Sequence, residues 1–300
     1  MKKDFINLND INKKIEEDCK KVIVDAESFF RSQLFDVANK ILKQKDVKVI
    51  LMAGPSCAGK TTSANLIKSI LEVKGKEVIS IAMDNFFKNT KDRKILPDGS
   101  IDFDSPDCVN TKQMSECFKK LFKNGEALFP EFDFITGENI EGQIKYTFNE
   151  DTIIIFEGIH VLNPEIIKHL ETKNFIKIYV SNYSGFKDEN LEISTRKFRL
   201  VRRMVRDMIK RGVNPSGTLK MWKNITDAED QFIVPFKETS DYQINTTHSY
   251  EMGLYKKYIL NAIETKELSL NELPWLKLFE KAKEVDKSLL PHTTLMHEFL

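Results

Sequence analysis

Val47-Lys-Val-Ile-Leu-Met-Ala-Gly54-Pro-Ser-Cys-Ala-Gly-Lys-Thr61 is the stretch whose reading decides the fold of this chain. Gly54 to Thr61 fits the pattern G-x-x-x-x-G-K-[ST], and Val47 to Ala53 before it is an aliphatic, β-branched run suited to a buried parallel strand. In such a loop a glycine-rich turn aims backbone N–H groups at phosphate oxygens, the lysine reaches the β and γ phosphates, and the hydroxyl ligates Mg²⁺. From Thr61 to Leu71, Ala64, Ile67 and Leu71 share one helical face before Gly75 can end the helix, whose N-terminus adds positive potential. The expected nucleotide contacts are therefore Gly54, Pro55, Ser56, Cys57, Ala58, Gly59, Lys60 and Thr61, with Thr62 beside them.

Composition narrows the remaining classes. The chain has 300 residues, 41% hydrophobic and 30% charged, which suits a soluble globular protein of one large or two modest domains. Forty-six basic and forty-five acidic residues leave a net charge of +1, so a generic nucleic-acid binder held by bulk charge is disfavoured: DNA is not an expected partner and RNA is a weak alternative. Cys19, Cys57, Cys108 and Cys117 form no C-x-x-C pair, nothing at the N-terminus resembles a signal peptide, and no apolar run approaches membrane-spanning length. These features suit a reduced, cytoplasmic setting without a membrane role.

The pattern then alternates. Strands are expected at Val78 to Ala82, Thr152 to Phe156, Phe175 to Val180 and Asp241 to Ile244, with helices between most of them, which gives an α/β fold with a parallel sheet and helices on both faces. Asn7 to Lys45 reads as one or two amphipathic helices. Ile95 to Phe103, with its turn Pro97-Asp98-Gly99-Ser100, and Phe129 to Phe148, around Thr136-Gly137-Glu138-Asn139, read as hairpins or flaps over the site. Two further helices are expected at about Ser249 to Ile263 and Leu273 to Val285. The implied division is 1–45 as an N-terminal helical extension, 46–264 as the nucleotide-binding domain, and 265–300 as a C-terminal helical extension.

A phosphate loop binds nucleotide without defining a reaction, so the acceptor side must be sought elsewhere. Asp84 follows a probable strand by two residues, where open α/β sheets hold ligands, and a carboxylate there can accept a hydroxyl proton. The alternative is a loop aspartate capping the next segment. Glu157 ends the run Thr152 to Phe156, where acidic residues hold Mg²⁺ or its water, so Thr61, Glu157 and Asp84 form the candidate metal set. His160 reads as a packing histidine. The helix Arg196 to Arg211 places Arg199, Arg202, Arg203 and Arg206 three or four apart, as a phosphate clamp on a mobile lid would; a solvated face and an RNA-contacting surface are the competing readings.

At this point the chain resembles the uridine kinase family of P-loop kinases. Met83-Asp-Asn-Phe-Phe87 is similar to that family's acceptor-base motif, Asp102-Phe-Asp-Ser-Pro-Asp107 to its ribose-binding segment, Phe156-Glu-Gly-Ile159 to its metal-site strand end, and Arg199-Leu-Val-Arg-Arg203 with Arg206-Asp207 to its lid helix. Within it, Glu157-Gly-Ile-His-Val-Leu-Asn-Pro164, Met221-Trp222, Pro235-Phe236 and His297-Glu-Phe-Leu300 are similar to the kinase portion of long bacterial nucleoside kinases, without their N-terminal TGS module. The likeness spans most of residues 7 to 300.

The resemblance implies a P-loop three-layer fold with a hairpin flap and helical lid, ATP and Mg²⁺ as cofactors, and a pyrimidine nucleoside phosphorylated at its 5′-hydroxyl. It further implies Asp84 as base, Asp104 on the ribose hydroxyls, Phe87, Phe132, Phe134 and Gly137 around the acceptor, and Arg199, Arg202, Arg203 and Arg206 on phosphates, Arg199 also facing substrate. Typical members read the base with a tyrosine and a histidine, where this chain has Phe132 and Gly137; Phe132 keeps a stacking face, but neither side chain forms a hydrogen bond. Lys197 stands where many members are acidic. A kinase of the phosphoribulokinase or pantothenate kinase type and a nucleotide-dependent RNA-binding module are the other readings; no N-K-x-D or L-S-G-G-Q motif supports a GTPase or a transporter ATPase.

Overall fold

The computed structural model describes residues 4–44, 46–96, 99–170 and 172–300. The chain runs β1 (Asp4–Asn7), α1 (Leu8–Leu42), β2 (Val49–Ala53), α2 (Lys60–Val73), β3 (Glu77–Ala82), α3 (Thr111–Asn124), β4 (Glu126–Asp133), β5 (Glu138–Thr147), β6 (Thr152–Glu157), α4 (Pro164–Ile167), β7 (Phe175–Ser181), β8 (Ser184–Lys187), β9 (Glu192–Ile193), α5 (Thr195–Arg211), α6 (Pro215–Phe232), β10 (Tyr242–Asn245), α7 (Glu251–Glu264) and α8 (Leu278–Lys281). Short 3-10 turns connect several of them, one of which, Met83–Phe86, carries Asp84.

The central sheet is five-stranded and wholly parallel, in the order β10-β7-β2-β6-β3. Its apolar runs are continuous because both faces are covered, yet alternate residues serve different cores. Val49, Leu51 and Ala53 of β2 join Ile154 and Phe156 of β6 in one cluster with α3, β4 and the Met83–Phe86 turn. Ile50 and Met52 join Ile153, Ile155, Ile176 and Ile178 in the other, with α1, α2, α5, α7 and the C-terminal segment. The sequence order reverses about β2, since β6 and β3 lie on one side of it and β7 and β10 on the other. Ligands bind at such a switch point, outside the C-terminal strand ends, and the Gly54–Thr61 loop leaves β2 there.

Details follow from local chemistry. Asn7 caps α1 by accepting from the amides of Asn9 and Asp10, and Asp18 breaks it, with φ −159° and a side chain that accepts from the Lys21 amide; the segment is two helices joined at a kink. The Phe129 to Phe148 hairpin forms as β4 and β5, with a register shift at Pro130. It is fastened to the sheet by Tyr146 Oη donating to Ser80 O at 3.0 Å and by edge-to-face contacts of Phe129 with Phe86 and Phe118. The Ile95 to Phe103 hairpin is present as an Ile95–Ile101 bridge; Pro97 and Asp98 of its expected turn lie outside the described residues.

The helix expected over Leu273 to Val285 forms only in part. A 3-10 turn at Pro274–Lys277 and the one-turn α8 stand in its span, and Ala282 is extended. Trp275, Leu276, Leu278, Phe279, Ala282 and Val285 are all buried, so tertiary packing of an irregular path, rather than an amphipathic face, satisfies the apolar pattern. The segment is seated on α7 at Gly253, where a Cβ would overlap Lys283 O and approach Val285 Cγ2 to 2.9 Å. Val285 N donates to Gly253 O at 3.2 Å. Gly253→Ala is therefore expected to lower unfolding free energy by about 1–3 kcal/mol through overpacking; an unchanged urea midpoint would show that the segment is not held there.

Candidate functional site

The loop conformation is imposed by its glycines and its surroundings. A Cβ on Gly54 would overlap Val180 O of β7, and Gly59 has φ +88° with Leu295 Cδ1 2.5 Å from where its Cβ would sit. Cys57 adopts φ +59° between them, a left-handed conformation uncommon for a side-chain-bearing residue. A loop that turns its amides inward to cradle an anion turns its carbonyls outward, and buried carbonyls need donors. Here four successive carbonyls are met: Ala58 N and Lys60 Nζ donate to Pro55 O (3.2 and 3.3 Å), Arg199 to Ser56 O (3.1 Å), Arg202 to Cys57 O (3.4 Å) and Thr246 Oγ1 to Ala58 O (2.8 Å).

Those contacts correct the reading of the arginine helix. Arg202 is fully buried, forms two hydrogen bonds with Glu251 (2.7 and 2.6 Å), and also donates to Thr246 O; it supports the loop from beneath and faces no open site, so its expected place on a phosphate is not supported. Arg199 is 3% exposed and forks onto Glu229 at 2.5 Å, with Trp222 against its guanidinium at 5.1 Å. Arg203 donates to Ser56 Oγ at 2.9 Å and exerts its charge on Asp104, thereby linking loop and acceptor side. Asp207 gathers Arg203, Arg206 and Arg211 within 3.2, 3.1 and 3.5 Å. Phe198, Leu200, Val201, Met204 and Val205 seat the helix in the core.

The carboxylates expected to act together do meet. Glu157 pairs in register with Ala82 on β3 and with Met52 on β2, so it stands between the loop and the Asp84 turn. Thr61 Oγ1 donates to Glu157 Oε1 at 3.0 Å. Burial raises the pKa of Glu157; Lys60 opposes the rise and the charge of Asp84 adds to it. Burial likewise raises Asp84, against Lys60, Arg93 and Arg211. Asp104 is raised chiefly by burial, and its backbone O meets His160 Nε2 at 2.9 Å. His160 is buried and its pKa is pulled down to about 4 by desolvation, which keeps it neutral near pH 7, in keeping with a packing role.

Among the residues expected around the acceptor, Phe87 and Phe132 are buried and meet edge to face at 5.7 Å, and exposed Phe134 meets Phe132 at 5.1 Å. Gly137 has φ +72°, and a Cβ there would overlap Thr90 Oγ1. The expected stacking face of Phe132 is taken by Arg93, whose guanidinium lies 4.9 Å from the ring centroid. Asn139, read from sequence only as a turn residue, clamps the Asp84 segment: its Nδ2 donates to Asn85 O (2.8 Å) and Phe87 O (3.1 Å), and its amide donates to Asn89 Oδ1 (2.8 Å).

Sequence reasoning also missed Glu229, Glu251, Thr246 and Glu298. Glu298 accepts from Thr62 N (3.3 Å) and Thr62 Oγ1 (2.9 Å), so the C-terminal segment reaches the start of the phosphate-loop helix. For Glu229 and Glu251 the available signal was compositional, an excess of arginines on one helix that must find carboxylates somewhere; Glu298 lay in the family-like ending His297-Glu-Phe-Leu300, which did not show its contact with Thr62.

The phosphate loop, the facing strand-end acids and the arginines lie together, an arrangement suited to moving a phosphoryl group, and known proteins point the same way. The model of the Phosphoribulokinase / Uridine kinase family matches residues 49–252. A uridine kinase of Borrelia duttonii (strain Ly) is 30% identical over 210 residues, covering 70% of this chain and 91% of its own. One of Mycoplasma genitalium is 29% identical over 199 residues, covering 65% and 84%. Among solved structures, one reported as a possible uridine kinase from Bacillus stearothermophilus aligns with a TM-score of 0.50 at 16% identity, over 72% of this chain and 98% of that one, a likeness of fold alone. The chain belongs to the Phosphoribulokinase / Uridine kinase family and is a phosphotransferase of it.

Proposed function

We propose that the protein is an ATP- and Mg²⁺-dependent kinase that transfers the γ-phosphoryl group to the 5′-hydroxyl of a uridine-type pyrimidine nucleoside. The observation that carries this reading is the placement of Asp84 and Glu157 on neighbouring strand ends within electrostatic reach of Lys60. The names of the similar kinases favour a nucleoside over a sugar phosphate as acceptor. Thr61 and Glu157 offer hard oxygen atoms side by side, a donor set suited to Mg²⁺, which takes few protein ligands and completes its shell with phosphates and water. When bound, the ion would neutralise phosphate charge.

The chain's own residues do the rest. The loop amides and Lys60 hold the donor phosphates, and Arg203 and Arg206 supply positive charge beside them. Asp104 orients the sugar. Asp84 takes the proton from the attacking hydroxyl as the new O–P bond forms and the bond to ADP breaks. Its buried setting, which favours the protonated form, makes it a better proton acceptor than an exposed aspartate.

Asp84→Asn is expected to lower kcat by about 10²–10⁴-fold, the usual worth of a general base, while ATP affinity measured by calorimetry stays within about twofold. Retained turnover would remove Asp84 from that role. A pH series gives a second check. In this reading transfer needs Asp84 and Glu157 ionised, and burial raises both pKa values; the acid limb of kcat/KM, which reports the free enzyme, is therefore expected above about pH 4. The sign for stability is opposite. A folded pKa above the unfolded one favours the folded state at low pH, and that contribution is lost as pH rises through the raised values. An acid limb at or below pH 4 would contradict the electrostatics described.

A further inference from the structure

Arg93 is a charged group on the acceptor wall that the proposed transfer does not use. It follows the 3-10 turn Thr90–Asp92, is 8% exposed, and fixes its Nε on Lys88 O at 3.0 Å. The guanidinium carbon lies 4.9, 5.0 and 4.9 Å from the ring centroids of Phe87, Phe103 and Phe132. Its second terminal nitrogen, Nη2, is buried and has no hydrogen-bond partner among the described residues. Burying a guanidinium is costly, and leaving a donor unmade adds to the cost.

The nearby acids offset part of the burial cost but give Nη2 no hydrogen bond. Asp84, Asp102 and Asp104 act on Arg93 through charge, but the Asp102 carboxylate is turned to the amides of Asp104 and Ser105 and to the Ser105 hydroxyl. A cation stacked among aromatic rings with an unpartnered donor is a group that an acceptor oxygen would satisfy. Phe87, Phe103, Phe132, Phe134 and Gly137 offer no side-chain hydrogen bond, so among these wall residues Arg93 alone can read a polar edge. A guanidinium donates and never accepts. It can therefore pair with a keto oxygen and cannot pair with an amino group.

We propose that Arg93 is the specificity-determining residue of the acceptor pocket, donating to the keto oxygen at position 4 of a pyrimidine base and so selecting uracil-type over cytosine-type nucleosides. The inference rests on the nucleoside reading above and names the group that discriminates. The Phe132 ring, whose face the guanidinium covers, then serves as the platform that orients Arg93.

The test is a kinetic comparison of the native enzyme and Arg93→Gln with uridine, cytidine and 4-deoxyuridine, each at saturating ATP. The native enzyme is expected to favour uridine by about 10- to 100-fold in kcat/KM over the other two, the worth of one hydrogen bond to a charged donor. Arg93→Gln should raise the uridine KM by a similar factor and bring the uridine-to-cytidine ratio close to one, with the ATP KM within about twofold; a merely structural role would shift both substrates together. If the variant does not fold, the native enzyme's preference still decides. Equal use of uridine and cytidine by the native enzyme, or an unchanged ratio in the variant, overturns the Arg93 assignment and leaves the kinase reading standing. Failure of the native enzyme on every nucleoside overturns both.

Discussion

The buried pair of Arg202 and Glu251 is the interaction on which the rest of the site depends. Neither side chain is exposed, and two hydrogen bonds join them. Removing charges from water costs several kcal/mol per ion, and burying such a pair is repaid only where geometry is good and the remaining donors are used. Here they are used on the loop: the guanidinium also reaches Cys57 O and Thr246, whose hydroxyl takes Ala58 O. The pair thus contributes less to net stability than to uniqueness. It fixes the direction of two successive loop carbonyls, and therefore of the amides that must face the phosphates.

From that pair a polar chain runs outward to both ends of the protein. Glu251 Oε1 also accepts from the His248 amide, the His248 ring is 3.6 Å from Glu27 of α1, and Glu27 accepts from Tyr250 Oη and from Thr294 Oγ1. One residue beyond Thr294, Leu295 fills the space over Gly59, and Glu298 holds Thr62. Desolvation lowers the pKa of His248 against its carboxylate neighbours, so the network is a buried junction and not a freely titrating surface. The N-terminal helix and the C-terminal segment therefore act on the loop directly, although neither carries recognisable chemistry.

How much of this was legible in the sequence follows from the range of each interaction. The loop is eight adjacent residues whose order alone dictates a turn, and Asp84 and Glu157 were readable because each ends its own apolar run. The division of labour within α5 was not. Arg199, Arg202, Arg203 and Arg206 look alike at helical spacing, and what separates them is a carboxylate 30 residues away for Arg199 and 49 away for Arg202. Glu298 is 236 residues from the Thr62 it holds. At the C-terminus the apolar residues were correctly core, but periodicity could not reveal that the path between them is irregular, because packing against α7 replaces helical hydrogen bonding as the organising constraint.

The same limit explains why the acceptor wall reads differently in sequence and in space. Gly137 looks like the loss of a base-reading side chain. In the structure it is a consequence of how the flap is tied down: Thr90 N donates to Gly137 O at 2.8 Å, and Asn139 binds the backbone on either side of Phe86, which brings the flap tip too close to Thr90 for any Cβ. Holding Asp84 in register with the loop thus removes the space for a reader at 137. The polar side chain that the Thr90–Asp92 turn delivers beside Phe132 is instead Arg93. The placement of Asp84 and that of Arg93 are thus coupled through one short segment, residues 84 to 93.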